Sequence, residues 1–407
     1  MTGLPHFIKS IMNCARDAKS ETLFHLGELE FSLWPGEKGH VQWLKSYLQP
    51  AVVERPVKYA SQRAWKVGSY FDMEIIKDIS VFKRAGYTDW VDVWTGRKIV
   101  HRMFFGQNCI LDFDPEEGFA CCYDLAQKQV IQVTSAHTTS SVHELGRLLR
   151  DIYTAHMRFE GWELFHAGAF RANDTIYMVP GASGAGKTSL IVAMVKSGAE
   201  FVSNDRVFLK CNKEGVSLRP YPMAAAIGLG TVQQYSTLRG LVLEPWELQY
   251  PRRRYHYQKV QATPEFQWPQ LEEKLQFFPN ELMANLEGGG SGIHGGGQIG
   301  AIISPQLNDI QRSEFKRMSR SSAQEILKKS YIDGNTDITS PWRPLPWQAH
   351  PVENHHLIIN RLLEFPLVNF TFYASRSRMN EVSSYSSYLR EAMDSLFPLM
   401  SGDNSSD

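Results

Sequence analysis

The chain has 407 residues, 43% of them hydrophobic and 12% aromatic, with 43 basic residues balancing 43 acidic ones. That length and apolar content describe a folded chain of two or three packed units and exclude a disordered one. Zero net charge leaves no global attraction to nucleic acid or to an anionic membrane. The five cysteines, Cys14, Cys109, Cys121, Cys122 and Cys211, form no CxxC pair, so neither a zinc site nor a disulfide framework is indicated. Cys121 and Cys122 read as half-buried strand residues. No basic-then-apolar leader and no apolar run of ~18 residues is present, so no membrane span is expected and the cytoplasm is the expected compartment.

Residues 4–17 carry Phe7, Ile8, Ile11, Met12 and Ala15 at the spacing of one helix face, read as a short helix packed on its own domain. From 22 to 135 the texture changes to short alternating or apolar runs. Leu23-Phe24-His25-Leu26, Val52-Val53, Val91-Asp92-Val93-Trp94, Ile110-Leu111-Asp112-Phe113 and Val130-Ile131-Gln132-Val133 are the clearest. Gly, Pro, Asn and Asp separate them, which is the pattern of an antiparallel β-rich unit. Ser140-Ser141 with Glu144 then suggest a helix start, and Leu145, Leu148, Leu149, Ile152 and Tyr153 supply its apolar stripe.

Residues 164–170 read as one buried strand containing His166. Asn173-Asp174 makes a turn, and 175–179 return as a second strand. Next come Pro180-Gly181-Ala182-Ser183-Gly184-Ala185-Gly186-Lys187-Thr188 and an apolar helix over roughly 188–197, with Gly198 placed to end it. Glu200-Phe201-Val202 is a further strand, Ser203-Asn204-Asp205-Arg206 a turn, and Val207-Phe208-Leu209 a strand again. Beyond 252 lie the basic cluster Arg252-Arg253-Arg254, a run at 288–297 with seven glycines, a helix-like stretch at 322–330, a Pro/Trp-rich segment at 341–351 and a strand candidate at Phe370-Thr371-Phe372-Tyr373. The glycine run reads as a flexible loop. The expected organisation is a β-rich unit over 1–138, a core over 139–310, an α/β extension over 311–400 and a disordered tail over 401–407.

Gly181, followed after four residues by Gly186-Lys187-Thr188, fits GxxxxGK[ST]. Glycines let successive amides curl round a phosphate without Cβ clashes, and the helix behind them offers unpaired donors and a positive dipole end. The sites expected to hold a nucleoside triphosphate are Gly181, Ser183, Gly184, Ala185, Gly186, Lys187, Thr188 and Ser189. Lys187 would reach the terminal phosphates, and the Thr188 hydroxyl would ligate magnesium. Asp205, just past a return strand, is the expected metal-side carboxylate, because ligands of open α/β sheets gather at the carboxyl ends of the strands. His166 is either a catalytic-site residue or a hydrogen-bonded core histidine.

At these residues the chain resembles the HPr kinase/phosphorylase superfamily, in particular its HPr-kinase-like branch. The likeness rests on Phe165-His166-Ala167-Gly168-Ala169, on Gly181-Ala182-Ser183-Gly184-Ala185-Gly186-Lys187-Thr188, and on Val202-Ser203-Asn204-Asp205-Arg206-Val207. Pro220-Tyr221-Pro222 and Lys274-Leu275-Gln276-Phe277-Phe278-Pro279 are fainter echoes. The resemblance implies an α/β fold with a P-loop kinase core, its sheet flanked by helices, behind a β-rich N-terminal unit. It also implies ATP and Mg²⁺ as cofactors. The family pattern carries two adjacent acids in the third motif, and here the first is Asn204, which accepts no proton at neutral pH.

The leading expectation is therefore a kinase transferring the γ-phosphoryl group to a hydroxyl on a peptide, protein or small metabolite. Lys187, His166 and Asp205 are its catalytic residues, Thr188 and Asp205 hold the metal, and Asn204, Arg206 and Arg239 help orient the acceptor or offset charge. A nucleotide-dependent switch with slow ATPase activity is the alternative that Asn204 favours. A nucleic-acid-modifying kinase rests only on Arg252-Arg253-Arg254, for which a solvated turn is the simpler reading. The acceptor, the choice of ATP over GTP and the oligomeric state are left open.

Overall fold

The computed structural model describes residues 22–34, 38–49, 51–53, 64–81, 88–91, 98–105, 109–114, 118–135, 139–243, 259–271, 274–286, 292–308, 314–332 and 353–373, with His6, Ile8 and Ile11. They form a mixed α/β protein of several sheets and helices. Two units separate by their contacts: Met1–Leu48 with Val52–Phe159, and Gln49–Ala51 with Glu160–Asp333 and the described part of Ala349–Asp407. Arg252-Arg253-Arg254, the segment 341–351 and the tail 401–407 lie outside the described residues, as do the side chains of Ser141 and Glu144.

The first unit is built on strands β1 (Thr22–Leu26), β2 (Leu29–Trp34), β3 (Val52–Val53), β4 (Trp65–Phe71), β5 (Thr88–Val91), β6 (Lys98–Phe105), β7 (Cys109–Asp114), β8 (Phe119–Asp124) and β9 (Gln129–Thr134). Their order is β3-β1-β2-β4-β9-β8-β7-β6-β5. This sheet is not wholly antiparallel as the sequence suggests, because β4 runs parallel to both β2 and β9. Parallel neighbours need a crossover rather than a tight turn. Two helices absent from the sequence reading lie within those connections, α1 (Lys38–Tyr47) and α2 (Met73–Val81). Asp72 caps α2, its Oδ1 accepting the amides of Glu74 and Ile75 at 3.0 Å each. Ile8 and Ile11 are buried with Ile75, Ile76 and Ile79, as expected of a segment packed on its own domain. Cys121 and Cys122 do lie in a strand but are fully buried, Cys122 Sγ standing 3.9 Å from Cys109 Sγ. Helix α3 (Thr139–Phe159) closes the unit, burying Leu145, Leu148, Leu149, Ile152 and Tyr153 as its stripe predicts.

The second unit contains β10 (Glu163–Phe165), β11 (Ala167–Ala172), β12 (Thr175–Pro180), helix α4 (Lys187–Lys196), β13 (Glu200–Ser203), β14 (Val207–Asn212), β15 (Gly215–Pro220) and β16 (Ala225–Gly228). The short helix α5 (Leu229–Val232), α6 (Ser236–Leu243), β17 (Lys274–Phe277), α7 (Pro279–Asn285), β18 (Gly297–Asn308), β19 (Glu314–Arg317), α8 (Arg320–Ser330), α9 (Glu353–Leu362) and β20 (Leu367–Tyr373) complete it. The main path is β10-β14-β15-β18-β12-β11-β13, with β20 on β18 and β19 on β20, while β16 and β17 form a separate ribbon.

Residues 164–170 are not one strand. The His166 amide donates to the Ser330 carbonyl at 2.6 Å, at the end of α8, and is lost to the ladder. The chain breaks there into β10, which pairs with β14, and β11, which pairs with β12 and β13. Because β10 and β13 are the two ends of the strand order, this break brings the ends of the curled sheet together at His166 and again at the turn between β13 and β14.

Local signals account for much of the rest. Asn173 and Asp174 take φ of 47° and 60°, the left-handed pair that turns a two-residue hairpin. Helix α4 is apolar on nearly all sides, with Leu190, Ile191, Val192, Ala193, Met194 and Val195 buried. That marks a core helix, and each of its larger side chains contributes about 1.5–3 kcal/mol of burial. Gly198, at φ 105°, ends it: its amide meets Val195 O and that of Ala199 meets Met194 O, both at 3.0 Å, which satisfies two terminal carbonyls. The glycine-rich run is anchored in its described half. Gly292 O accepts the Phe201 amide at 3.1 Å, and the His294 amide donates to Phe201 O at 2.8 Å.

Candidate functional site

Strand directions decide where the candidate residues meet. In β11, Ala167 lies opposite Pro180 of β12 and Ala169 opposite Ser203 of β13. Both pairings are antiparallel, so β12 and β13 run the same way. The end of β12, the end of β13 and the start of β11 thus share one edge of the sheet. The loop after Pro180, the turn after Ser203 and His166 all emerge there.

The loop 181–186 enters α4 through Gly186 at φ 99°, with Gly184 at φ 81°, conformations that a Cβ would strain. Its one internal amide bond closes a turn, Ala185 N to Ala182 O at 3.2 Å. The amides of Ser183, Gly184, Gly186, Lys187 and Thr188 meet no acceptor among the described residues, and no side chain caps α4. A helix start left with such donors suits an anion. Lys187 is buried, and its Nζ donates to Gly181 O at 2.8 Å and to Ala182 O at 3.0 Å. Burial pushes its ammonium below the usual lysine range, Asp205 opposes that, and Lys274 adds to it. Thr188 is half-buried. The Ser189 hydroxyl lies 2.8 Å from Thr231 Oγ1 on α5.

Across the edge, His166 Nε2 stands 3.0 Å from Asp205 Oδ1, and Arg206 Nε lies 3.6 Å from Asp205 Oδ2. Burial pushes the Asp205 carboxyl upward, yet the His166 hydrogen bond and the charges of Arg206, His166 and Lys187 prevail and bring it down to about 2. It is a fixed anion at neutral pH. Arg206 is held by that pair and by stacking over the Tyr221 ring at 5.4 Å. Asn204 is 5% exposed; its Nδ2 donates to Ala226 O at 3.3 Å, while its Oδ1 meets no partner among the described residues. Gly168 makes this packing possible. A Cβ there would come to 2.8 Å of Asn204 O and 2.1 Å of Ile191 Cδ1, so β11, the turn and α4 touch only because that side chain is absent.

Lys187, Asp205, Asn204, Arg206 and His166 are therefore brought to one edge. Arg239 is not linked to them by any contact among the described residues; it pairs with Glu265 at 3.2 Å. Lys274, whose charge reaches Lys187, belongs to no motif that marks a site residue in the sequence. Its only signal was a place in a short segment resembling the family. No group of three or more His, Cys, Asp or Glu side chains suited to a metal occurs among the described residues. No helix among them is long and apolar enough to cross a membrane.

No protein-family model matches this chain, and no curated protein matches it. Among solved structures it is similar to the Hpr(Ser) kinase/phosphatase from Coxiella burnetii, at 11% sequence identity and a TM-score of 0.25, with 59% of this chain and 99% of that chain covered. A likeness at that level leaves the functional reading to the side chains described above.

Proposed function

We propose that the chain is an ATP- and magnesium-dependent phosphotransferase that moves a γ-phosphoryl group to a hydroxyl of a peptide, protein or small metabolite. The observation that carries this is the convergence, at one sheet edge, of five unpartnered amides and a buried lysine with an aspartate held ionised beside a histidine. The amides and Lys187 fit a polyphosphate: the lysine leaves its two loop carbonyls and follows the phosphate charge as that charge redistributes. Thr188 and Asp205 fit a hard cation, since both offer oxygen and Asp205 stays charged. Magnesium held by these two residues would offset the negative charge of the phosphates.

The acceptor oxygen forms a bond to the γ-phosphorus as the bond to the bridging oxygen of the departing diphosphate breaks. His166 orients that hydroxyl. Asp205, with a pKa of about 2, is a weak base, and the Asn204 amide is none. The proton therefore leaves the acceptor late, passing to an oxygen of the transferred phosphoryl group, which a loose transition state tolerates.

Asn204 also supports a second reading, a nucleotide-dependent switch that releases phosphate slowly without an acceptor. Incubation of the full chain with magnesium and γ-labelled ATP, alone and with pools of hydroxyl-bearing peptides and metabolites, separates the two. Label carried onto an acceptor supports the kinase. Label appearing only as inorganic phosphate supports the switch, and no nucleotide binding at all ends both.

A further inference from the structure

The ribbon of β16 and β17 reaches the same site from a different direction. It is tied there twice, by Asn204 Nδ2 to Ala226 O at 3.3 Å and by Thr231, three residues beyond β16, to Ser189 at 2.8 Å. In β17 the burial alternates, with Leu275 and Phe277 in the core and Lys274 exposed. Lys274 lies opposite Gly228, the residue that leads into α5, where an added Cβ would meet nothing within 4 Å. A cation thus stands at the open end of the ribbon, facing a position with no side chain. Lys274 makes no ion pair or hydrogen bond among the described residues, whereas Arg206 is held by Asp205 and Arg239 by Glu265.

Resting on the phosphate-site reading above, we infer that Lys274 is a second phosphate-contacting cation, which reaches the terminal phosphoryl group from the β16–β17 ribbon while Lys187 holds the loop side. Two ammonium groups close enough for one to disturb the other repel each other unless an anion lies between them. Gly228 leaves the room for it. The substrate class this selects is a nucleoside triphosphate over a diphosphate, because the second cation engages only the last phosphate.

The test compares MgATP and MgADP binding to the full-length wild type, Lys274→Ala and Lys274→Arg, with melting curves to establish folding. Loss of about tenfold or more in affinity for MgATP on Lys274→Ala, with MgADP affinity unchanged and Lys274→Arg near wild type, is expected for one lost charged contact. Equal affinities for wild type and Lys274→Ala, or an equal loss for both nucleotides, overturns the role of Lys274 and leaves the phosphate site standing. A wild type that binds neither nucleotide overturns the site and this inference with it.

Discussion

His166 Nε2 and Asp205 Oδ1 stand 3.0 Å apart although 39 residues separate them in the chain. The bond exists because the break at His166 and the turn after β13 lie where the two ends of one curled sheet meet. It helps to lower the Asp205 carboxyl from 3.8 to about 2. A carboxyl depressed in the folded state stabilises above its unfolded value, and that stability is lost as pH falls through the folded one. Asp205→Asn should therefore cost the unliganded protein about 2 kcal/mol at pH 7, with the difference shrinking between about pH 4 and pH 2. Urea unfolding across that range measures it, and a gap independent of pH would mean that the carboxylate charge contributes nothing.

Lys187 presents the opposite balance. Burial disfavours its charge, and a folded lysine with a lowered pKa weakens folding below that pKa. Replacement by methionine keeps the stem and removes the ammonium. Lys187→Met is expected to bind MgATP at least about tenfold more weakly while melting no lower than wild type without ligand. A variant that melted much lower, or that bound normally, would make this lysine a structural residue.

Gly168 is a purely steric case. Gly168→Ala sets a methyl against Asn204 O and Ile191 Cδ1, and overpacking of this kind costs about 1–3 kcal/mol. Ile191→Val in the same chain removes the Cδ1 clash but not the carbonyl one. The double variant should recover part of the lost stability and less of the lost nucleotide binding, because the turn bearing Asp205 stays displaced. Chemical denaturation and MgATP titration of the two variants report both quantities, and full recovery of binding would show that the turn never moved.

These residues also show what a sequence discloses. The GxxxxGK[ST] loop, its apolar helix, the Gly198 stop and the Asn173-Asp174 hairpin are readable because their causes are local: glycine φ values, helical spacing, a left-handed turn. The break at His166 is not local. It follows from the Ser330 carbonyl 164 positions away, so an apolar run that reads as one strand becomes two. The same holds for β4, whose parallel neighbours come from distant segments, and for Gly292 and His294, which bond to Phe201 although glycine content alone suggests a free loop. Arg239 and Lys274 illustrate it among cations. Sequence alone does not disclose that the first meets Glu265 and that the charge of the second reaches Lys187.

Asn204 is where composition of the site and chemistry part most sharply. Its amide is buried, with Nδ2 on Ala226 O and Oδ1 unmatched. An unmet buried acceptor costs about 1–3 kcal/mol, which a bound group donating to Oδ1 would offset. Asn204→Asp adds a negative charge next to Asp205 and removes the donor to Ala226 O. Two carboxylates so placed repel each other, and the apo protein should lose about 2 kcal/mol or more at neutral pH. A divalent cation reverses that repulsion, so magnesium should restore most of the loss in Asn204→Asp and shift the wild type far less. Melting curves with and without millimolar magnesium measure the difference. Equal shifts in the two proteins would place Asn204 and Asp205 away from any cation, and the proposed metal side of the site would have to move elsewhere.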